Sequence, residues 1–172
     1  VVRHGCPYRL EEGRSEMAKI RLNKILCPTD FSDFSLYALD YALSFAEQYK
    51  AKLLLLHVVD VFLHDPAYFA PYVPDRTMFS GYEENAHSRL KEIVEQKVPA
   101  GIETEILVKE GRAFVEIVRV AKEQKADIIV MGTHGRTGLS HAMFGSTAEK
   151  VVRKAPCPVL SIKHPEHDFI MP

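Results

Sequence analysis

From Lys24 onward, short apolar runs alternate with longer stretches of helical period. Ile25-Leu26-Cys27 leads into a segment with Leu36, Leu39, Leu43 and Ala46 on one stripe and Ala38, Ala42, Phe45 and Tyr49 beside it. So broad an apolar face predicts a helix packed on a core. Leu53 to Val61 is nearly all apolar, as expected of a strand covered on both faces. A second helix is predicted around Ala86, Leu90, Ile93 and Val94, followed by a third strand over 102–108, where Ile102, Ile106 and Val108 alternate with Glu103 and Glu105. Phe114, Ile117, Val118 and Ala121 mark a third helix, and Ile128 to Met131 a fourth strand. Ala148, Val151 and Val152 mark a fourth helix, and Val159 to Ile162 a short fifth strand entered through Pro158.

The resulting rhythm, βαβαβαβαβ, has links short enough for right-handed crossovers, and therefore predicts an α/β domain: a parallel sheet with helices on both faces. Ligands of such sheets sit beyond the carboxyl ends of the strands, where the strand order reverses. The residues to search are thus Thr29-Asp30, Asp60 onward, Gly111, and Gly132 onward.

Composition narrows the partners. The chain has 172 residues, 22 Lys+Arg against 23 Asp+Glu, a net charge of -1 and 47% hydrophobic residues. That length buries a sizeable core in one domain without metal or disulfide support. The near-neutral balance lacks the clustered positive charge that nucleic acid or an anionic membrane would require, so neither is expected as a partner. The longest apolar runs, such as Leu53 to Leu56, are far too short to span a bilayer. Cys6, Cys27 and Cys157 are three, far apart and without a CxxC pair, which argues against a disulfide framework or zinc cluster and fits a reducing cytoplasm. Residues 1–16 carry charges and no apolar signal core, and Met17-Ala18-Lys19 reads as a natural start. The expectation is a non-native or upstream extension over 1–16 and a working domain over 17–172.

The chemistry concentrates after the fourth strand. Gly132-Thr133-His134-Gly135-Arg136-Thr137-Gly138 packs three of the nine glycines into seven residues, and Gly145-Ser146-Thr147 follows. Glycine allows the backbone to approach a ligand closely and turn several N–H groups toward one anion. Ser146 with Glu149 reads as a capping box, placing a helix N-terminus, with its positive dipole end, at Gly145-Ser146. Either this is a phosphate cradle or it is a flexible strand-to-helix connection with an ordinary cap; its place at the end of a central parallel strand favours the cradle. No GxGxxG follows the first strand and no P-loop lysine motif occurs, which argues against a dinucleotide oxidoreductase and a P-loop ATPase.

Four segments in order carry a resemblance to a known family. They are Cys27-Pro28-Thr29-Asp30-Phe31-Ser32, His57-Val58-Val59, Gly132-xx-Gly135 separated by nine residues from Gly145-Ser146, and Ala155-Pro156-Cys157-Pro158-Val159. Together they resemble the universal stress protein family, over a core of about 24–163. The resemblance implies a Rossmann-like open sheet of five parallel strands in the order 3-2-1-4-5, of the adenine nucleotide alpha hydrolase-like kind. It also implies a homodimer formed through the last strand, Val159–Ile162. In nucleotide-binding members the glycine segment holds ribose and phosphates, which carries onto Gly132, Gly135, Gly145 and Ser146. The first-strand proline and aspartate flank the nucleoside, matching Pro28 and Asp30, and Val58 matches the adenine contact. Thr29, Met131, His134, Arg136, Gly138 and Thr147 complete the candidate set around ATP, ADP or AMP, with Mg²⁺.

Several of these residues have a second reading. A carboxylate at Asp30 suits ribose hydroxyls or water-mediated Mg²⁺, or else a turn or N-cap role, for which Ser32 is an equal candidate. Arg136 either meets a terminal phosphate or is solvated. His57, His134 and His141 lack metal-ligand spacing and are read as hydrogen-bonding structural residues, while Cys27 and Cys157 are read as small apolar core residues. The segment 61–80, with Phe62, Tyr68, Phe69, Tyr72 and Phe79 among prolines, has no clear period and is expected either to cover the nucleotide or contact a partner, or to pack on its own domain.

No activated nucleophile, carboxylate pair or oriented base stands beside the phosphate loop, so the expectation is an ATP-binding stress-response switch with at most slow hydrolysis. The alternatives are a nucleotide-free dimeric interaction module and an adenine-nucleotide-hydrolysing enzyme of the same architecture.

Overall fold

The computed structural model describes residues 20–60, 76–135 and 145–165. Among these, the chain runs β1 (Lys24–Pro28), α1 (Asp33–Tyr49), β2 (Lys52–Val59), α2 (Arg76–Lys97), β3 (Thr104–Glu110), α3 (Ala113–Gln124), β4 (Ile128–Gly132), α4 (Ser146–Lys154) and β5 (Val159–Ile162). The strands form one sheet in the order β3-β2-β1-β4-β5, with every pairing parallel.

Strand alternation divides the core into two layers. Ile25, Cys27, Leu53, Leu55 and Val130 face α1 and α2, packing on Ala38, Leu39, Ala42, Leu43 and Leu90. Leu26, Leu54, Leu56, Ile129 and Met131 face α3 and α4, packing on Ile117, Val120, Ala121, Ala148 and Val151. The unbroken apolar run of β2 follows directly, because a central strand must satisfy both layers.

The structure moves several expected boundaries. The third strand begins at Thr104, two residues after the expected start, and Ile102 is buried in the preceding turn. Val120 is a buried residue of α3 that the expected stripe omitted, while Val118 is half-buried. Val152 lies on the outer side of α4, 47% exposed, because Ala148 and Val151 already occupy the inward face of that short helix. Helix α2 begins at Arg76, so residues 76–80 of the segment expected to be aperiodic are helical. Residues 61–75 of it lie outside the described residues, as do the extension over 1–16 and Met17. No helix among the described residues is long and apolar enough to cross a membrane.

Candidate functional site

The strand order reverses between β1 and β4, and these two strands meet only at their amino-terminal ends. There, Asp127 Oδ2 accepts the N–H groups of Asn23 (2.6 Å) and Lys24 (2.9 Å), and Ile25 and Leu26 register with Ile128 and Ile129. The registered pairing stops at that point, although β1 continues beside β2 as far as Pro28 and β4 beside β5 as far as Gly132. Proline explains the separation. Thr29 N–H donates to Leu56 O (2.8 Å), so the odd-numbered residues of β1 turn their N–H groups to β2 and the even-numbered ones turn to β4. Pro28 falls on the β4 side and has no N–H to give. The carboxyl ends of β1 and β4 are thus not registered with each other, and the crevice that such a topology provides for a ligand is expected there.

On the β1 side the turn is held by its own side chains. Ser32 is the N-cap of α1, its Oγ accepting from Ser35 N–H (3.3 Å). Asp30 Oδ1 accepts from both the N–H (3.0 Å) and the hydroxyl (2.5 Å) of Ser32. Of the two candidates for the cap, Ser32 is the N-cap and Asp30 holds the turn by accepting from Ser32. Thr29 is buried, sharing a hydrogen bond with Ser35 Oγ (2.9 Å) and accepting Phe31 N–H at Oγ1 (3.0 Å). Phe31 takes φ 66°, in the left-handed region that side chains other than glycine seldom occupy.

On the β4 side, Thr133 is a hub that sequence reasoning missed. Its N–H donates to Ile162 O of β5 (3.0 Å), its carbonyl accepts from Gly145 N–H (2.8 Å), and its Oγ1 pairs with His134 Nδ1 (3.0 Å). A threonine just beyond a strand that ends in glycine was the available signal. The Gly145 bond fixes where α4 starts and corrects the expected capping box. Gly145, extended at φ −66° and ψ 151°, is the N-cap, and Ser146 is the first helical residue. Glu149 donates its N–H to Gly145 O (3.0 Å) and pairs through its carboxylate with Arg153 (3.4 Å). The Ser146 hydroxyl and the first-turn N–H groups stand at the positive end of α4.

The two sides meet at Gly135. A Cβ placed there would collide with Asp30 Oδ2, so the backbone after β4 lies directly against the carboxylate after β1. Gly132 has a different reason for lacking a side chain: a Cβ would come within 3.0 Å of Phe34 O, on the α1 side of the sheet. Val58 and Met131 both face the α3–α4 layer, as α4 does. Pro28, Thr29, Asp30, Val58, Met131, Gly132, His134, Gly135, Gly145, Ser146 and Thr147 thus lie at the carboxyl edge of β1, β2 and β4 or on the start of α4. Arg136, Gly138 and His141 lie outside the described residues.

The histidine and cysteine readings can be placed as well. His57 is buried, and its Nδ1 lies 2.8 Å from Thr29 O. A carbonyl only accepts, so Nδ1 carries the hydrogen. Burial, with the charge of Asp40 adding to it, pushes the Cys27 thiol up to about 12, and burial followed by Asp127 raises that of Cys157. Both are thiols, not thiolates, at neutral pH. No group of three or more His, Cys, Asp or Glu suited to a metal ion occurs among the described residues.

Comparison with known proteins gives the same outline. The model of the universal stress protein family matches residues 21–163. Universal stress protein MJ0531 of Methanocaldococcus jannaschii is 37% identical over 146 residues, covering 84% of each chain. The solved structure of MJ0577, a universal stress protein of the same organism, aligns with a TM-score of 0.75 at 29% identity, covering 86% of this chain and 99% of that one. A universal stress protein crystallised in complex with cAMP aligns with a TM-score of 0.55 at 26% identity, covering 84% of this chain and 98% of that one.

Proposed function

The chain belongs to the universal stress protein family, and from that premise we propose that it is an adenine-nucleotide-binding regulatory protein, holding ATP, ADP or AMP in the crevice between β1 and β4. The observation that carries this reading is the close approach of Gly135 to Asp30, beside the start of α4. A bare backbone, an anchored carboxylate and a helix N-terminus converge there, which suits a ligand that is polar at one end and multiply anionic at the other. Ser146, Thr147 and the loop N–H groups would hold phosphate, Asp30 the ribose hydroxyls, and Val58 and Met131 the base. The relative crystallised with cAMP supports an adenine nucleotide as the ligand class. Mg²⁺ would arrive on the phosphates and neutralise their charge, with Asp30 available as a carboxylate partner through water.

In this reading Asp30, whose Oδ1 serves Ser32, engages ribose rather than a reacting water, and the site holds nucleotide rather than turning it over rapidly. A route for signalling runs through Thr133, whose carbonyl binds the N-cap of α4 and whose N–H binds the last residue of β5. β5 ends the sheet, and its outer edge would pair with that of a second copy, so that nucleotide state reaches a homodimer contact. Isothermal titration calorimetry tests the reading. Wild-type protein is expected to bind ATP with Mg²⁺ at one site per chain, and Asp30→Ala to bind roughly 10- to 100-fold more weakly, as befits a lost hydrogen bond to a charged group. A wild-type protein that takes up neither ATP, ADP nor AMP would sink the proposal.

A further inference from the structure

The residue that follows Asp30 is an unusual choice for its backbone. A left-handed position at the exit of a central strand is ordinarily filled by glycine, which adopts it without steric penalty. Here it is filled by Phe31, at φ 66°. A bulky side chain at such a position persists only where its surroundings hold it, and such positions cluster at ligand clamps.

Among the described residues, the ring packs against the α1–α2 core layer and carries two stacked groups. The imidazole of His57 lies with its centroid 4.2 Å away and tilted by 35°, and the guanidinium carbon of Arg89, on α2, stands 4.0 Å above the ring centroid. His57 grips the turn twice, since its Nδ1–H also donates to Thr29 O (2.8 Å). The residue before Asp30 is therefore fixed by its carbonyl and the residue after it by its ring. Phe31 N–H, bonded to Thr29 Oγ1 (3.0 Å), closes the loop between them. Between these two fixed residues, Asp30 Oδ1 meets Ser32 and its Oδ2 faces Gly135. His57 lies on the α1–α2 side of β2, one residue from Val58 on the other side, so this device backs the crevice without lining it.

We propose that Phe31, clamped by His57 and Arg89, is a positioning residue that sets the Asp30 carboxylate for nucleotide, and that Arg89 thereby couples helix α2 to the site. The inference rests on the nucleotide reading of the crevice. A merely apolar plug would need neither a cation on its ring nor a left-handed backbone. Arg89 is the exposed member of the stack. Anything that displaces α2, which directly follows the 61–75 segment, would loosen the turn that carries Asp30.

The test measures ATP affinity by calorimetry and hydrogen exchange at the Ser32 amide, the donor to Asp30, in four variants. Phe31→Gly relaxes the backbone and removes the ring; about 10-fold weaker affinity and about 10-fold faster Ser32 exchange are expected. Arg89→Ala removes only the surface cation and is expected to change both by about 3-fold. Phe31→Tyr and Arg89→Lys keep the ring and the cation, and are expected to restore wild-type values. Unchanged affinity and unchanged Ser32 exchange in Phe31→Gly and Arg89→Ala would overturn the proposal, as would a loss of melting temperature with neither readout moved. If Phe31→Gly fails to fold, Arg89→Ala decides alone. If wild-type protein binds no nucleotide, the functional reading fails, and Ser32 exchange still judges the positioning.

Discussion

Substituting Gly135 with alanine isolates the contact on which the site depends. No left-handed φ is required of Gly135, so its backbone accepts alanine, and the obstacle is the collision of the new methyl group with Asp30 Oδ2. To admit the methyl, the Asp30 side chain must swing away and give up its two hydrogen bonds to Ser32, of 3.0 and 2.5 Å. Bonds to a charged acceptor in a half-exposed setting contribute together about 1–3 kcal/mol, which for a domain of this size is a fall in melting temperature of the order of 5 °C. ATP affinity should fall with it, because the displaced carboxylate no longer faces the crevice. The sharper assay is a double-mutant cycle in urea unfolding. With Asp30→Ala in place the obstacle is gone, and Gly135→Ala should then be neutral or stabilising by about 0.4–1 kcal/mol through the unfolded chain's lost freedom. Equal costs of Gly135→Ala in both backgrounds would refute the idea that Asp30 and Gly135 meet.

Other consequences concern the scaffold. Leu90→Ala, at a fully buried anchor of α2, should cost about 2–5 kcal/mol, whereas Val152→Ala, half exposed on α4, should stay within about 0.5 kcal/mol in the same urea titration. Ser32→Ala removes the N-cap of α1 together with one of the Asp30 bonds and should cost about 1–2 kcal/mol while weakening ATP binding. Cys27, held near 12 against an ordinary 9.0, keeps its proton in the fold at pH values where the unfolded chain has lost it. Its contribution is thus fully present below pH 9 and is lost as pH rises toward 12. The stability of Cys27→Ala should fall less steeply with alkali than that of wild type, and parallel curves would count against the assignment.

The periodicity of the chain conveyed most of the architecture, and physical reasons separate what was legible from what was not. Apolar runs at Ile25–Cys27 and Leu53–Leu56, with helical stripes between them, are local signals that burial on two faces imposes on a parallel sheet. Boundaries were less legible where tertiary bonds decide them. Gly145 became the N-cap of α4 because Thr133 O takes its N–H, and no local pattern around Ser146 and Glu149 encodes that partner. Glycine spacing drew attention to the loop after β4, yet it could not distinguish Gly132, which makes room for Phe34 O, from Gly135, which makes room for Asp30. The role of Phe31 was hidden because its partners, His57 and Arg89, are 26 and 58 positions further along the chain. Pro28 stood in plain view as a motif residue, but its effect of ending the ladder to β4 emerges only once the strand order is known.

An amide-resolved NMR titration of the wild-type protein with ATP and Mg²⁺ reports both whether nucleotide binds and where. Saturable shifts are expected at Thr29, Asp30, Val58, Gly135, Gly145 and Ser146, the residues proposed to line the nucleotide site, with little change at the far end of α1 around Tyr49. A spectrum that does not respond to ATP, or one whose shifts gather away from the carboxyl ends of β1 and β4, would contradict the nucleotide reading of this site.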